Sequence, residues 1–230
     1  MRDALHVLST TLRLLWEELV LLIQLNLTVS VLGILALLSV AIQADVGAAW
    51  HLGLAASLLL PLPPMLGALS FVTNQIARER AVGWDTFLCG LRRYWIKSYV
   101  VIFLGVLGLA LILFNLWFYS SPSGIAWAPV MRLPWMLILL LWIAVQLFWF
   151  PMLLELESES ILQSLKDAVL IAVLTPLFTL FLILVASVFL TLSLGLVLPV
   201  VFLGLALLSL LGNVATRDRL AYVQRKRSPG

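Results

Sequence analysis

Residues 168–216, AVLIAVLTPLFTLFLILVASVFLTLSLGLVLPVVFLGLALLSLLGNVAT, form a run of 49 residues without one charged side chain. As a single α-helix this run would be about 74 Å long, more than twice the roughly 30 Å of hydrocarbon in a bilayer. The chain must therefore turn back within the run, most plausibly around Thr191–Gly195. The run predicts two membrane spans.

The composition of the whole chain agrees with a protein embedded in lipid. Of its 230 residues, 63% are hydrophobic and 11% are charged, and the mean hydropathy is +1.13. Soluble domains carry about 25% charged residues, so the composition argues against a water-soluble fold. The single cysteine, Cys89, allows neither an intrachain disulfide nor a cysteine-based metal site.

Four further apolar runs are long enough to cross a bilayer as helices. A secretory signal is the alternative for the first, because Ser39–Ala41 resembles a cleavage site, but the run is longer than the ~7–15 residues of a signal core. We therefore predict an all-α polytopic membrane helix bundle in which residues 1–230 form one transmembrane domain. The six predicted spans cover residues 19–42, 52–77, 98–119, 133–154, 168–190 and 194–213.

The distribution of cations predicts the orientation. With both termini in the cytoplasm, Arg132 is the one residue among 14 Lys and Arg that falls in an outside loop. This is the bias expected of short cytoplasmic loops. The same bias explains the formal charge of +3 as attraction to the anionic inner leaflet, so membrane lipids, and not nucleic acid, are the expected partners.

Two cytoplasmic connections have the pattern of short helices lying in the membrane interface. In the first, aromatic residues recur at helical spacing and basic residues take other faces. The residues that define this elbow are Trp84, Phe87, Arg92, Arg93, Trp95 and Lys97. The second elbow begins at Ser160, with Gln163 three residues later as a capping pair.

Residues able to perform chemistry are scarce. The two histidines, His6 and His51, fall on opposite sides of the membrane in this topology, so they cannot share a metal or a proton. The chain contains no nucleophile elbow, no zinc-protease motif and no phosphate-binding glycine loop. We therefore expect no catalytic residues, no metal, no cofactor and no enzyme activity.

Uncharged polar residues within the spans have two interpretations. They can form hydrogen bonds between helices, each worth about 0.6–2 kcal/mol in lipid. Alternatively, Asn26, Asn74 and Gln75 can line a polar pocket, because all three fall at a similar depth near the inner leaflet.

Proline interrupts the second span at Pro61, Pro63 and Pro64. Each proline removes an N–H and clashes with the preceding turn, so this helix must kink or break. The kink is either purely structural or part of a substrate site, since broken helices line such sites in transporters. Pro151 and Pro176 predict milder bends.

Two further patterns predict helix packing and surface charge. Trp142 lies in the middle of a span, so we expect it to pack against a neighbouring helix, and Gly105 with Gly108 predicts a close helix contact. The acidic patch consists of Glu155, Glu157 and Glu159. It is either a solvated helix end that pairs with nearby arginines or a docking site for a partner protein.

The order of these features resembles the YesL-type family of bacterial integral membrane proteins of unknown function. The resemblance covers roughly residues 20–100. It rests on an asparagine in the first span (Leu25–Leu27), a charged turn after the second (Ile76–Arg80) and the aromatic, basic elbow. The matching elbow positions are Phe87, Gly90, Arg93, Trp95 and Lys97. The double proline Pro63–Pro64 departs from the family pattern.

Because members of that family accompany carbohydrate uptake systems, the resemblance implies an accessory role beside an importer subunit in the bacterial cell membrane. The expected function is therefore a non-enzymatic accessory or regulatory protein. The alternative is a small solute transporter or lipid-handling protein that uses the proline-kinked second span.

Overall fold

The computed structural model describes residues 2–46, 50–120, 130–156, 160–196 and 200–227, and this part of the chain contains helices and no strand. The all-α class is confirmed. The helices are α1 (Arg2–Glu17), α2 (Leu19–Val46), α3 (Trp50–Leu59), α4 (Leu62–Ala77), α5 (Trp84–Phe118), α6 (Arg132–Glu155), α7 (Ile161–Leu174), α8 (Pro176–Leu196) and α9 (Leu205–Arg227). A π-helical segment, Val200–Gly204, directly precedes α9.

Within the described ranges, four helical segments are long and apolar enough to cross a membrane: Leu19–Ile42, Gly53–Ala77, Trp84–Phe118 and Arg132–Glu155. A fifth span results if the bent pair α7–α8 counts as one. The count of six stays a prediction, because residues 197–199 of the last predicted span lie outside the described part of the chain.

The predicted fifth span, residues 168–190, is not one continuous helix. The chain bends by 100° between α7 and α8, at Thr175. Pro176 has no N–H to continue α7 and disfavours helical geometry at the residue before it, which is why Thr175 leaves the helical region (φ −127°, ψ 58°). The mild bend predicted at Pro176 is therefore a sharp corner.

The first predicted elbow is not a separate helix either. It forms the beginning of α5, a single helix of 35 residues and about 52 Å. No glycine, proline or cap interrupts the chain at the predicted boundary. Ser98, the expected start of the span, donates its hydroxyl back to the Tyr94 carbonyl (2.8 Å) within the helix. The second elbow is the separate helix α7, and its predicted cap is present because Ser160 accepts a hydrogen bond from the Gln163 N–H.

The prolines of the second span begin a new helix. α3 ends at Leu59 and α4 begins at Leu62, so Pro63 and Pro64 fall in the first turn of α4, where a helix does not need their N–H groups. At the break, the Tyr99 hydroxyl donates to the Leu60 carbonyl. α3 and α4 together still make one span-length unit, Gly53–Ala77.

The buried core lies at one end of the bundle, which we call the charged end because Arg78, Glu155 and Arg217 lie there. Its largest fully buried side chains include Trp149, Phe148, Leu69, Leu22 and Leu210. Toward the other end, large apolar side chains of the helices are exposed. Examples are Leu37 (69% exposed), Phe103 (67%), Leu137 (68%) and Leu184 (61%). Apolar surface of this extent fits a lipid environment.

Small residues bring helices into close contact. Trp142 packs across Gly108 and donates its indole N–H to the Gly105 carbonyl (3.2 Å), as expected for a tryptophan in the middle of a span. Gly212 of α9 lies against α6, where a Cβ would stand 2.7 Å from the Leu147 carbonyl oxygen. Pro151 has no N–H to donate to that carbonyl, so Gly212 packs where one backbone hydrogen bond of α6 is missing.

Gly212→Ala should destabilise the protein by about 1–3 kcal/mol, because the new methyl group meets backbone that cannot move aside without shifting a helix. The measurement is the midpoint of thermal unfolding in detergent. Gly53→Ala is the matched control, since a Cβ at Gly53 meets nothing within 4 Å and alanine favours helix. Equal midpoints for the two variants would contradict the close crossing of α6 and α9.

Candidate functional site

At the charged end, α4, α6 and α9 converge on the carboxylate of Glu155, the last residue of α6. It accepts hydrogen bonds from Arg78 Nε (3.2 Å) and Asn74 Nδ2 (3.1 Å), and Arg217 Nε lies 3.5 Å from its other oxygen. Arg78 also donates to the carbonyls of Leu154 (3.4 Å) and Glu155 (3.3 Å). The guanidinium therefore neutralises the negative end of the α6 dipole as well as the side chain. Both charged side chains of the Arg78–Glu155 pair are more than four-fifths buried.

A ladder of polar side chains continues from Glu155 into the bundle. Asn74 Nδ2 also donates to Asn213 Oδ1 (3.1 Å), and Asn213 Nδ2 donates to Thr73 Oγ1 (3.0 Å) and to the carbonyls of Ser70 (3.2 Å) and Ser209 (3.0 Å). The hydroxyls of Thr73 and Ser209 are 2.8 Å apart. We call these five residues the polar ladder. Thr73, Asn74 and Asn213 are almost completely buried.

Glu155 sets the orientation of the Asn74 amide. Reversing that amide would place its oxygen against the carboxylate, so the amino group must face Glu155. The remaining oxygen, Asn74 Oδ1, is buried and has no hydrogen-bond partner in the described part of the chain. The polar ladder therefore links α4 and α9 by hydrogen bonds of fixed direction, and it ends on the Glu155 carboxylate.

Two cavities flank α6 beside the end of the polar ladder that lies farthest from Glu155. The first, about 430 Å³, lies between α4, α5 and α6, and the second, about 350 Å³, lies between α6, α8 and α9. Both are lined by Ser70, Ile143, Gln146 and Phe150, and most of their walls are apolar. We call them the α6 cavities.

Gln146 is the polar side chain that the two α6 cavities share, together with Ser70. Its side chain is exposed to them and forms no hydrogen bond with the described residues. It lies nine residues before Glu155, about 13 Å away along α6. Ser209 lines the second cavity and also belongs to the polar ladder, so the ladder connects these cavities to the charged end.

A third cavity, of about 490 Å³, lies where α4 begins beside the first turns of α5. Its lining residues are Pro61, Pro64, Met65, Phe87, Leu91, Arg92 and Trp95. We call it the proline cavity. It brings together two sets of residues that were singled out separately in the sequence, the prolines of the second span and the aromatic and basic residues of the predicted elbow.

No family model, curated protein or solved structure matches this chain. The resemblance to the YesL-type family therefore stays a prediction from the residues of the first hundred positions. In the described part of the chain, no group of three or more His, Cys, Asp or Glu side chains is placed to hold a metal ion. The polar ladder and the cavities are therefore the features from which a function can be inferred.

The structure does not bring the predicted pocket residues Asn26, Asn74 and Gln75 together. Asn26 Oδ1 accepts from the backbone N–H of Ala206 (2.8 Å), where the π-helical segment passes into α9. Gln75 Oε1 accepts from Arg80 (3.1 Å). Asn74 lies in the polar ladder, about two helical turns along α9 from the Asn26 contact. Asn26 and Asn74 instead form hydrogen bonds between helices, which is the other interpretation of the polar residues within the spans.

The remaining elbow and acidic residues have separate positions. Trp84 donates its indole N–H to Gln24 Oε1 (3.1 Å), while Arg93 and Lys97 lie over the Tyr94 ring. Pro63 does not line the proline cavity. Of the acidic patch, Glu155 pairs with arginines, and Glu157 and Glu159 lie outside the described residues.

Sequence reasoning missed the role of Asn213, Ser209 and Gln146, although a signal for the first two was present. Serine, asparagine and arginine recur at intervals of four residues in α4 (Ser70, Asn74, Arg78) and again in α9 (Ser209, Asn213, Arg217). This spacing places each set on one helix face. In the structure the two faces meet, asparagine against asparagine, and both arginines reach Glu155.

Glu155→Gln should lower the free energy of unfolding by about 1.5–3 kcal/mol, because Arg78 and Arg217 lose the carboxylate that neutralises them in a largely buried site. Chemical unfolding in detergent micelles measures the change. Glu17→Gln removes an exposed carboxylate that pairs with Arg13 and should change stability by less than about 0.5 kcal/mol. A Glu155 variant as stable as the Glu17 variant would show that the contacts of Glu155 contribute nothing to the free energy of unfolding.

Proposed function

We propose that this protein is a non-enzymatic, multi-pass protein of the bacterial cell membrane that binds a lipid-like amphipathic molecule in the α6 cavities. The observation that carries the proposal is the pair of apolar cavities on either side of α6, with the unpaired amide of Gln146 between them. This is the lipid-handling alternative from the sequence, with its site moved from the second span to α6.

The size and lining of the cavities support an amphipathic ligand. Small-molecule sites commonly enclose about 300–1,000 Å³, with apolar walls and a few polar groups that fix orientation. Here the walls are side chains such as Leu66, Val101 and Ile183. The neighbouring halves of α5, α6 and α8 expose apolar side chains, so a ligand of this kind can enter sideways from the bilayer.

Gln146 supports a ligand with a carbonyl or hydroxyl group next to its apolar part. An amide without a hydrogen-bond partner is unfavourable in an apolar medium, by about 1–3 kcal/mol on protein scales. A ligand oxygen or hydroxyl at Gln146 would remove that cost, with the Ser70, Ser187 and Ser209 hydroxyls available around it. Within the described residues, none of these groups is paired with a base or an acid that would activate it, which supports binding over catalysis.

The charge distribution supports a cytoplasmic position for the charged end. Arg78, Arg217 and Arg219 lie there, and Arg132 lies at the opposite end, where it donates to the Tyr119 carbonyl (2.9 Å). Cations concentrate on the cytoplasmic side of bacterial membrane proteins. In this orientation the polar ladder runs from the α6 cavities toward the cytoplasm.

A diazirine-bearing palmitic acid in membrane vesicles should label peptides of α6 and α8 that line the cavities, namely those containing Gln146 or Ser187. Ala186→Trp fills the second cavity and should remove most labelling of α8. Leu184→Trp, on an exposed face of the same helix outside the cavity, should leave it unchanged. Gln146→Leu should reduce labelling of α6. Uniform labelling of all exposed apolar helices in every variant would contradict the proposal.

A second candidate function is the accessory role beside a carbohydrate importer. A cavity of about 490 Å³ at the charged end favours it, because its walls carry both signs of charge on accessible side chains: Arg13, Glu17, Glu18, Glu79 and Arg80. Mixed charge of this kind suits a polar protein surface. Glu79 also holds a left-handed backbone conformation (φ 54°), which points the turn after α4 toward α1.

A photocrosslinking amino acid in place of Glu17 should give one crosslinked product of defined mass in intact cells grown on a carbohydrate, identified by mass spectrometry as an importer subunit. The same amino acid in place of Trp117, exposed on α5 far from that cavity, is the control and should not give that product. No product at position 17, or the same products at both positions, would contradict the accessory role.

A further inference from the structure

The proline cavity takes no part in the function proposed above, and its composition is unusual for a void beside lipid. Most of its lining residues are apolar, namely Pro61, Pro64, Met65, Phe87 and Leu91. The prolines offer no N–H group, so this part of the α4 wall lacks the donors that other residues would supply. Arg92 and Trp95 complete the lining.

Arg92 has no hydrogen-bond, ion-pair or ring partner anywhere in the part of the chain that the structure describes. Arg93 differs in this respect, since it lies 5.7 Å from the centre of the Tyr94 ring, and so does Arg78, which pairs with Glu155. Among the residues that the structure describes, no carboxylate lines the cavity. A molecule that complements this site carries an anionic group, which pairs with the guanidinium, and an apolar part, which fills the cavity.

The position of Arg92 along the bundle fits the headgroup region of a bilayer. Tyr94 contacts Phe150, five residues before the charged end of α6, so Arg92 lies close to that end. Trp84 and Trp95 are each about half exposed on either side of it along α5. Exposed indoles are enriched at the membrane–water interface. From Arg92 the cavity leads toward Pro61, away from the charged end.

We propose that the proline cavity is a binding site for an anionic phospholipid, with the phosphate on Arg92 and one acyl chain along Pro61, Pro64 and Met65. The unpaired guanidinium supplies the charge complementarity, and the apolar walls continue in the direction that the acyl chain takes. Trp95 packs beside the glycerol region. A phosphate and a guanidinium form two parallel hydrogen bonds, which makes arginine better suited than lysine to this contact.

Native mass spectrometry of the protein in a nonionic detergent tests the proposal, with phosphatidylglycerol as the probe. Arg92→Gln should weaken binding of the first phosphatidylglycerol at least about tenfold, the loss expected for a charge-assisted hydrogen bond. Arg92→Lys should bind with intermediate affinity. Arg93→Gln carries the same change of charge one residue away and should bind as the unmodified protein does. Since Arg92 is exposed and unpartnered, these variants should fold.

Two further probes separate the sources of the affinity. Diacylglycerol with the same acyl chains should bind more weakly than phosphatidylglycerol and should not respond to Arg92→Gln. Inorganic phosphate should not displace the lipid. Equal binding of phosphatidylglycerol by the Arg92→Gln and Arg93→Gln variants would overturn the proposal, as would equal binding of the two lipids. Displacement by inorganic phosphate would also overturn it, in favour of a site for soluble phosphate. None of these outcomes bears on labelling at the α6 cavities.

Discussion

One carboxylate, that of Glu155, pairs with two arginines at the point where α4, α6 and α9 meet. A largely buried charge is tolerated when it is paired and hydrogen-bonded, and the Glu155 carboxylate contacts Arg78, Arg217 and Asn74. Each of the three helices supplies at least one member. The packing of these helix ends, and with it the buried core around Trp149, depends on this contact.

The Asn74–Asn213 pair fixes the register in which α4 and α9 pack, in addition to the charge contact at Glu155. Buried asparagines in parallel helices specify which residues face each other, because a shift by one turn would leave their amides without partners. Here α4 and α9 run in the same direction, toward Glu155, and present serine, asparagine and arginine in the same order. The α6 cavities lie beside the first rung, at Ser70 and Ser209, so their walls are held by the same pairing.

The two ends of the bundle have different physical roles. The charged end contains the buried core and the polar ladder, whereas large apolar side chains are exposed toward the other end. The α6 cavities and the proline cavity lie on the border between these regions, where polar groups such as Gln146 and Arg92 can meet lipid-like molecules.

Apolar run length determined the helical class, and it placed the spans predicted at 19–42, 52–77 and 133–154 to within one residue of the segments 19–42, 53–77 and 132–155. A helix in lipid satisfies its backbone hydrogen bonds within itself, so consecutive residues suffice to predict it. Local chemistry likewise determined the cap at Ser160 and the packing of Trp142. The tertiary structure alone decided that Asn26 accepts a hydrogen bond from Ala206 and that the sets containing Asn74 and Asn213 meet at Glu155. These contacts join residues more than 60 positions apart, and their energies depend on how helices cross, which no local pattern specifies.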